Sequence, residues 1–246
     1  MTSPARPGAG RTPGSRAHRV AALFAYDGWI SAALLRAFQF FLVAVSFLVC
    51  LAPLALFHAL VGWQPTHLAL WLGAAAVLPV VPATYGALDM AQRVLLVSGG
   101  SGAGRGFWRS FATATRSLWW LAAAVSGAVL VIGYDLALLG SSDAVFLVAV
   151  LAIAALVVLV VGVCSVAPVQ PAAGPRVLMV AAVRAIAARP HIALCWLLLS
   201  AVGVAAAFLP LIGGAVALFA PALVACAITI CNVSLRFGTR RKGVVS

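Results

Sequence analysis

The chain has 246 residues, of which 65% are hydrophobic and 8% are charged, and its formal net charge is +12. Soluble globular proteins are about 45–50% apolar and about 25% charged, so this composition excludes a soluble enzyme domain, a disordered chain and a disulfide-rich secreted module. The sequence instead predicts an integral membrane protein. Its five cysteines lie in apolar runs without a C-x-x-C pair, which is typical of buried, reduced thiols.

Six apolar stretches are long enough to cross a bilayer as helices, because a hydrocarbon core of about 30 Å requires about 20 residues of α-helix. They lie near 37–60, 68–92, 118–139, 144–167, 191–209 and 212–235. We therefore expect an all-α, polytopic transmembrane helical bundle of about six helices over residues 24–238. Residues 1–23 are expected to form a disordered basic tail, and residues 239–246 a second basic tail.

All 16 lysine and arginine residues lie on one side of this arrangement. The alternate connections, near 61–67, 140–143 and 210–211, contain none. The positive-inside rule then predicts that both termini are cytoplasmic. The bias towards Ala, Gly, Val and Arg is typical of a GC-rich bacterium, so we expect the bacterial plasma (inner) membrane. Insertion and anionic lipid headgroups explain the cations, and no nucleic-acid partner is needed.

Tryptophans stand near the ends of the segments, where aromatic belts anchor membrane proteins. Trp63 and Trp71 flank the first outer connection, Trp119 and Trp120 begin segment three, and Trp196 lies early in segment five. The sequence predicts an anchoring role for all of them.

Proline-rich runs open the inner half of segment two and close segment four. The runs are Pro79-Val80-Val81-Pro82-Ala83-Thr84 and Pro168-Val169-Gln170-Pro171-Ala172-Ala173. Proline removes a backbone hydrogen bond and kinks a membrane helix, and paired broken helices can mark a transporter's binding site. Simple helix packing is the alternative. Hydroxyls at mid-depth, such as those of Ser126 and Thr229, are expected to bond backbone carbonyls or to join helices.

Charged side chains lie near the ends of the segments. Asp89 and Arg93 are spaced for an i,i+4 pair near the inner interface, and Asp135 lies near the outer end of segment three. Water is expected to reach both carboxylates. The centre of each segment lacks charge, which argues against an ion-driven carrier working alone. The candidate helix-break and intramembrane polar residues are Pro79, Pro82, Thr84, Tyr85, Asp89, Arg93, Asp135, Pro168 and Pro171.

Two basic connections, 105–117 and 176–188, are long enough to form helices that lie in the headgroup plane. In the first, an aromatic stripe faces lipid or, alternatively, docks a cytoplasmic or membrane partner. The candidate docking residues are Phe107, Trp108, Arg109 and Phe111. The glycine-rich run 99–106 matches no phosphate-binding pattern and predicts a flexible linker.

Motifs for catalysis or metal binding are lacking. His58 and His67 flank the first outer connection, but their spacing relative to Asp135 or Asp143 matches no metal motif. Polar groups do not cluster at one depth, as a membrane-embedded enzyme would require. We therefore expect no enzymatic activity, no metal and no cofactor.

Several residue runs together resemble the YesL family of bacterial membrane proteins, a domain of unknown function. They are Phe24-Ala25-Tyr26-Asp27-Gly28 with Arg36, Cys50-Leu51-Ala52-Pro53, Pro82-Ala83-Thr84-Tyr85-Gly86-Ala87-Leu88, Gly106-Phe107-Trp108-Arg109-Ser110-Phe111, and Asn232 with Arg236-Phe237. The resemblance covers about residues 24–238. Val81 stands where the family usually has glycine, Tyr85 lies earlier than the family's aromatic residue, and residues near 54–76 look like an insertion or a longer outer hairpin.

The resemblance implies an accessory membrane protein of a carbohydrate uptake system of the ABC type. The predicted function is therefore a non-enzymatic inner-membrane protein that assists a solute transporter. An autonomous channel or carrier for a small neutral solute, with its pathway beside the broken helices, is the alternative. Segments rich in Ala and Gly also fit packing across a homo-oligomer interface.

Overall fold

A computed structural model of the chain describes residues 29–96, 102–140, 142–170, 173–207 and 213–235. Within these ranges the chain is helical and contains no β-strand, which confirms the all-α prediction. The helices are α1 (Trp29–Leu60), α2 (His67–Val77), α3 (Val80–Leu96), α4 (Ala103–Ser117), α5 (Trp119–Leu139), α6 (Asp143–Val166), α7 (Pro175–Ala188), α8 (Pro190–Ala207) and α9 (Gly213–Ser234). Both predicted basic tails lie outside the described residues.

Five helical stretches are long and apolar enough to cross a membrane, and a sixth results when the bent pair α7–α8 counts as one span. The five are Ala33–Leu60, His67–Leu95, Trp119–Leu139, Asp143–Val169 and Val216–Ser234. Helices α7 and α8 meet at an angle of 98°. These apolar stretches agree with a transmembrane bundle of about six helices and identify the chain as a membrane protein.

The chain divides into two units, and the division falls inside α1. The first unit, Met1–Phe38, contains the first ten residues of α1 among those described. In the second unit, Gln39–Ser246, α8 packs most extensively against α9, and α3 against α4. Its core collects buried side chains from α3, α4, α6 and α8, with Phe107, Val163 and Trp196 fully enclosed.

The span 67–95 is interrupted at Leu78 and Pro79, as the proline run predicts. Thr66 caps the N-terminus of α2 through its side chain. The Leu78 amide donates to the Ala75 carbonyl and so tightens the last turn of α2. Pro82 lies in the first turn of α3, where a missing amide proton breaks no helical hydrogen bond.

The glycine-rich connection ends sooner than predicted. Helix α4 begins at Ala103, so Gly104 and Gly106 are helical and the linker prediction is wrong for them. A Cβ atom on Gly106 would lie 2.7 Å from the Sδ atom of Met90. Gly106 therefore leaves room for the flexible end of the Met90 side chain between α4 and α3.

Candidate functional site

The junction of α3 and α4 joins three polar side chains. Asp89 on α3 is 8% exposed. The Ser110 hydroxyl on α4 donates to its Oδ2 atom over 2.5 Å, and the Arg93 guanidinium lies 2.9 Å from the same oxygen. The predicted Asp89–Arg93 pair is confirmed. The prediction that water reaches the Asp89 carboxylate is wrong, because Ser110 and the packing of α4 cover this carboxylate.

The buried face of α4 differs from the predicted aromatic stripe. Ala103, Phe107, Ser110 and Ala114 are buried, at successive spacings of four, three and four residues that lie on one helix face. Phe107 is 0% exposed and belongs to the core. The prediction that Phe107 is a docking anchor is therefore wrong, because its ring already fills the space between α4 and α3.

The remaining docking candidates flank this buried face. At about 100° per residue, Trp108 and Phe111 lie on one flank of α4, whereas Arg109 lies on the other with Arg105 and Arg116. Trp108 is 44% exposed, Phe111 is half-buried and the three arginines are exposed. The Trp108 ring meets the Phe107 and Phe111 rings edge-on, with centroids 5.7 and 5.6 Å away. Helix α4 is thus held by its buried face, with aromatic side chains on one flank and arginine side chains on the other.

The polar groups beside the helix breaks form hydrogen bonds within the protein. The Thr84 hydroxyl donates to the Val80 carbonyl over 2.8 Å, and the Ala83 amide donates to the Pro79 carbonyl over 3.0 Å. Tyr85 is half-buried against the core. Pro168 lies in a 3-10 turn, Ala167–Val169, that ends the span of α6. Pro171 is outside the described residues.

The expectation for mid-depth hydroxyls is confirmed at two residues. Ser126 on α5 donates to the Ala74 carbonyl on α2 over 2.7 Å and so joins two helices. Thr229 on α9 donates to the Ala225 carbonyl one turn earlier, over 2.8 Å.

Asp135 lies far from the α3–α4 junction in sequence and remains exposed on the last turns of α5. The preceding residue, Tyr134, shares a hydrogen bond of 2.8 Å with His67 at the start of α2. Asp135 also borders a groove between α5 and α6. Within the ranges that the structure covers, no three His, Cys, Asp or Glu side chains come together as metal ligands would.

A chain of polar side chains that the sequence did not reveal links three helices. The Trp196 indole on α8 donates to the Asn232 carbonyl oxygen on α9 over 3.0 Å, and the Asn232 amide contacts the Ser165 hydroxyl on α6 over 3.0 Å. Trp196 is 0% exposed, so its predicted role in an interfacial belt is wrong. The one available signal was Asn232, an amide in an otherwise apolar segment.

Comparisons with protein-family models, with curated proteins and with solved structures find no match to this chain. The resemblance to the YesL family stays a prediction, and its runs at 24–28 and 236–237 lie outside the described residues.

Proposed function

We propose that the chain is a non-enzymatic protein of the bacterial inner membrane that assists a solute uptake system. The proposed partner is a membrane or cytoplasmic subunit of an ABC-type carbohydrate transporter, in keeping with the residue runs that resemble the YesL family. Both termini, and with them α4, are proposed to face the cytoplasm, because all 16 lysine and arginine residues flank that side of the spans.

The observation that carries this proposal is the division of α4 into a fixed face and a free face. Phe107 and Ser110 hold the helix against α3, while Trp108 and Arg109 remain exposed. Tryptophan and arginine are enriched among the residues that contribute most to protein interfaces. A helix that is already packed loses little conformational freedom when a partner binds, which favours docking.

The interior favours an accessory role over a carrier. A solute pathway beside the helix breaks would need polar groups that are available to the solute. Thr84, Ser126 and Thr229 instead donate to backbone carbonyls, and Asn232 bonds both Trp196 and Ser165. Such bonds stabilise helix packing in membranes.

Affinity purification from the native membrane tests the docking surface. The Trp108→Ala/Arg109→Ala variant removes both exposed groups and leaves Phe107 and Ser110 in place. We expect the wild-type chain to recover ABC transporter subunits in stoichiometric amounts, and the double variant to lose them while inserting normally. Arg184→Ala is the matched control, because it removes an exposed arginine from α7 instead of α4.

Two results would contradict the proposal. Recovery of the same subunits with the double variant at normal yield would show that this surface of α4 is not the docking site. Recovery of the wild-type chain alone, together with solute flux in liposomes that contain only this protein, would favour the autonomous channel or carrier.

A further inference from the structure

A groove runs between α5 and α6, near the connection that joins them. Its volume is about 570 Å³, and apolar side chains form its lining apart from Asp135. Along α5 it extends from Ala128 to Leu139, which is about 16 Å at 1.5 Å per residue. One leaflet of a bilayer has a hydrocarbon thickness of about 15 Å. With a headgroup at Asp135, the groove offers an acyl chain the seven residues of α5 down to Ala128, which is about 10 Å or about two thirds of that thickness.

The carboxylate of Asp135 lies in the upper part of this groove, seven residues from its lower end at Ala128. A negative charge at the edge of an apolar membrane region is stabilised by a nearby cation or by water. Among the described residues, Asp135 forms no salt bridge. The sequence between Arg116 and Arg176 contains no lysine or arginine. A cation that pairs with Asp135 must therefore come from outside this hairpin.

We propose that the groove binds a phospholipid with an amine headgroup, with an acyl chain along α5 and α6 and the headgroup ammonium at Asp135. The apolar lining excludes water from the acyl chain, and the carboxylate accepts a charge-assisted hydrogen bond from the ammonium. A lipid with an anionic headgroup and no amine lacks the positively charged ammonium that would donate this hydrogen bond. The Asp135 carboxylate also repels its negative charge. The site thus selects for phosphatidylethanolamine over phosphatidylglycerol.

The site is independent of the proposed function. It lies on α5 and α6, whereas the proposed docking surface lies on α4, so either proposal can fail while the other stands. The lipid proposal also holds for either orientation of the chain in the membrane, because only residues of α5 and α6 form the groove.

Native mass spectrometry of the full chain in detergent tests the proposal. The probes are 1-palmitoyl-2-oleoyl-phosphatidylethanolamine and the phosphatidylglycerol with the same acyl chains, added at equal concentrations. We expect the wild-type chain to retain the ethanolamine lipid preferentially. Asp135→Asn should lower that preference about tenfold, the change expected for the loss of one charge-assisted hydrogen bond.

Two further variants separate the headgroup contact from the acyl-chain contact. Asp143→Asn removes the neighbouring exposed carboxylate, which does not line the groove, and should leave the preference unchanged. Ala144→Trp fills the groove from an exposed residue on the first turn of α6 and should reduce the occupancy of both lipids alike.

The proposal is overturned by any of three results. The first is a wild-type chain that binds both lipids equally. The second is an Asp135→Asn variant with an unchanged preference, or an Asp143→Asn variant that loses it to the same extent. The third is an Ala144→Trp variant that retains both lipids at wild-type occupancy, which would show that lipid binds elsewhere.

Discussion

Of the three acidic side chains that the structure describes, Asp89 is buried, while Asp135 and Asp143 are exposed. A buried carboxylate is costly unless its oxygens accept hydrogen bonds. Ser110 and Arg93 both reach the same oxygen of Asp89, but their surroundings differ. Ser110 is buried with the carboxylate, whereas the Arg93 side chain is 58% exposed. We therefore expect Ser110 to contribute more to stability than Arg93.

Ser110→Ala and Arg93→Ala test this difference. Losing the buried hydroxyl should lower the free energy of unfolding by about 1.5–3 kcal/mol, the range for hydrogen bonds to charged groups. Losing the exposed guanidinium should cost about 0–1 kcal/mol, because solvent screens the ion pair. Reversible unfolding in mixed detergent micelles measures both values.

Thr113→Ala is the matched control on the same helix. Its hydroxyl is exposed and donates to the Arg109 carbonyl within α4, so its loss should have little effect. An Arg93→Ala variant that is destabilised as strongly as Ser110→Ala would contradict this account of Asp89.

Sequence spacing predicts contacts within one helix better than contacts between helices. The Asp89–Arg93 pair follows from the i,i+4 rule. Ser110 lies 21 residues from Asp89, and its contact depends on the position of α4 against α3. Trp196 and Asn232 meet across two helices for the same reason, and an indole near a segment end matches the pattern of an interfacial anchor equally well.

At the scale of the helix, α8 and α9 form the most extensive contact in the second unit. The Trp196–Asn232 hydrogen bond joins them, and the preceding residues, Cys195 and Cys231, lie near enough for their thiols to interact. Further along, Gly203 leaves space for the Val224 side chain. These three contacts lie along one antiparallel interface, which brings two free cysteines together without a disulfide.

Chemical oxidation of the membranes with copper–phenanthroline tests the α8–α9 interface. We expect Cys195 and Cys231 to form a disulfide, because their thiols lie near each other across the interface. A maleimide polymer added after denaturation should then attach to three cysteines instead of five. The Cys226→Ala variant, which alters a different α9 thiol, should still lose two reactive cysteines on oxidation.

The Cys231→Ala variant should lose none. Five reactive cysteines after oxidation of the wild-type chain, or a loss of two in Cys231→Ala, would show that α8 and α9 pack differently. The readout counts thiols and does not require any activity of the protein.

The bounds of the helices could be predicted, but the buried face of α4 could not. Runs of about 20 apolar residues identify the spans, since the bilayer imposes that length, although α1 begins at Trp29, eight residues before the predicted start of segment one near 37. In α4 the aromatic residues Phe107, Trp108 and Phe111 dominate the sequence pattern. The face that the bundle covers is instead centred on Ala103, Phe107, Ser110 and Ala114. Small side chains there allow close packing against α3, a property that hydrophobicity alone does not indicate.

For the molecule as a whole, the connections that contain arginine lie beside most of the fully enclosed side chains. Most of the large, fully enclosed side chains of the second unit lie in α4, at the start of α5, at the end of α6 and at the start of α8, beside the connections that contain arginine, with Val43 and Val81 as exceptions. The α5–α6 groove lies near the opposite end of α6, beside a connection without lysine or arginine. The tightly packed end is therefore the one that we propose to be cytoplasmic.

Labelling of single introduced cysteines in intact cells tests this orientation. Ser142→Cys lies on the α5–α6 connection and Ser117→Cys at the end of α4, and both serines are exposed. The positive-inside rule predicts that a membrane-impermeant maleimide labels the first variant in intact cells and the second only after permeabilisation. The unmodified chain measures the background from the native cysteines. The reverse pattern would put the arginine-rich connections outside the cell. It would remove α4 from the reach of a cytoplasmic partner but would leave the lipid groove on the α5–α6 hairpin unaffected.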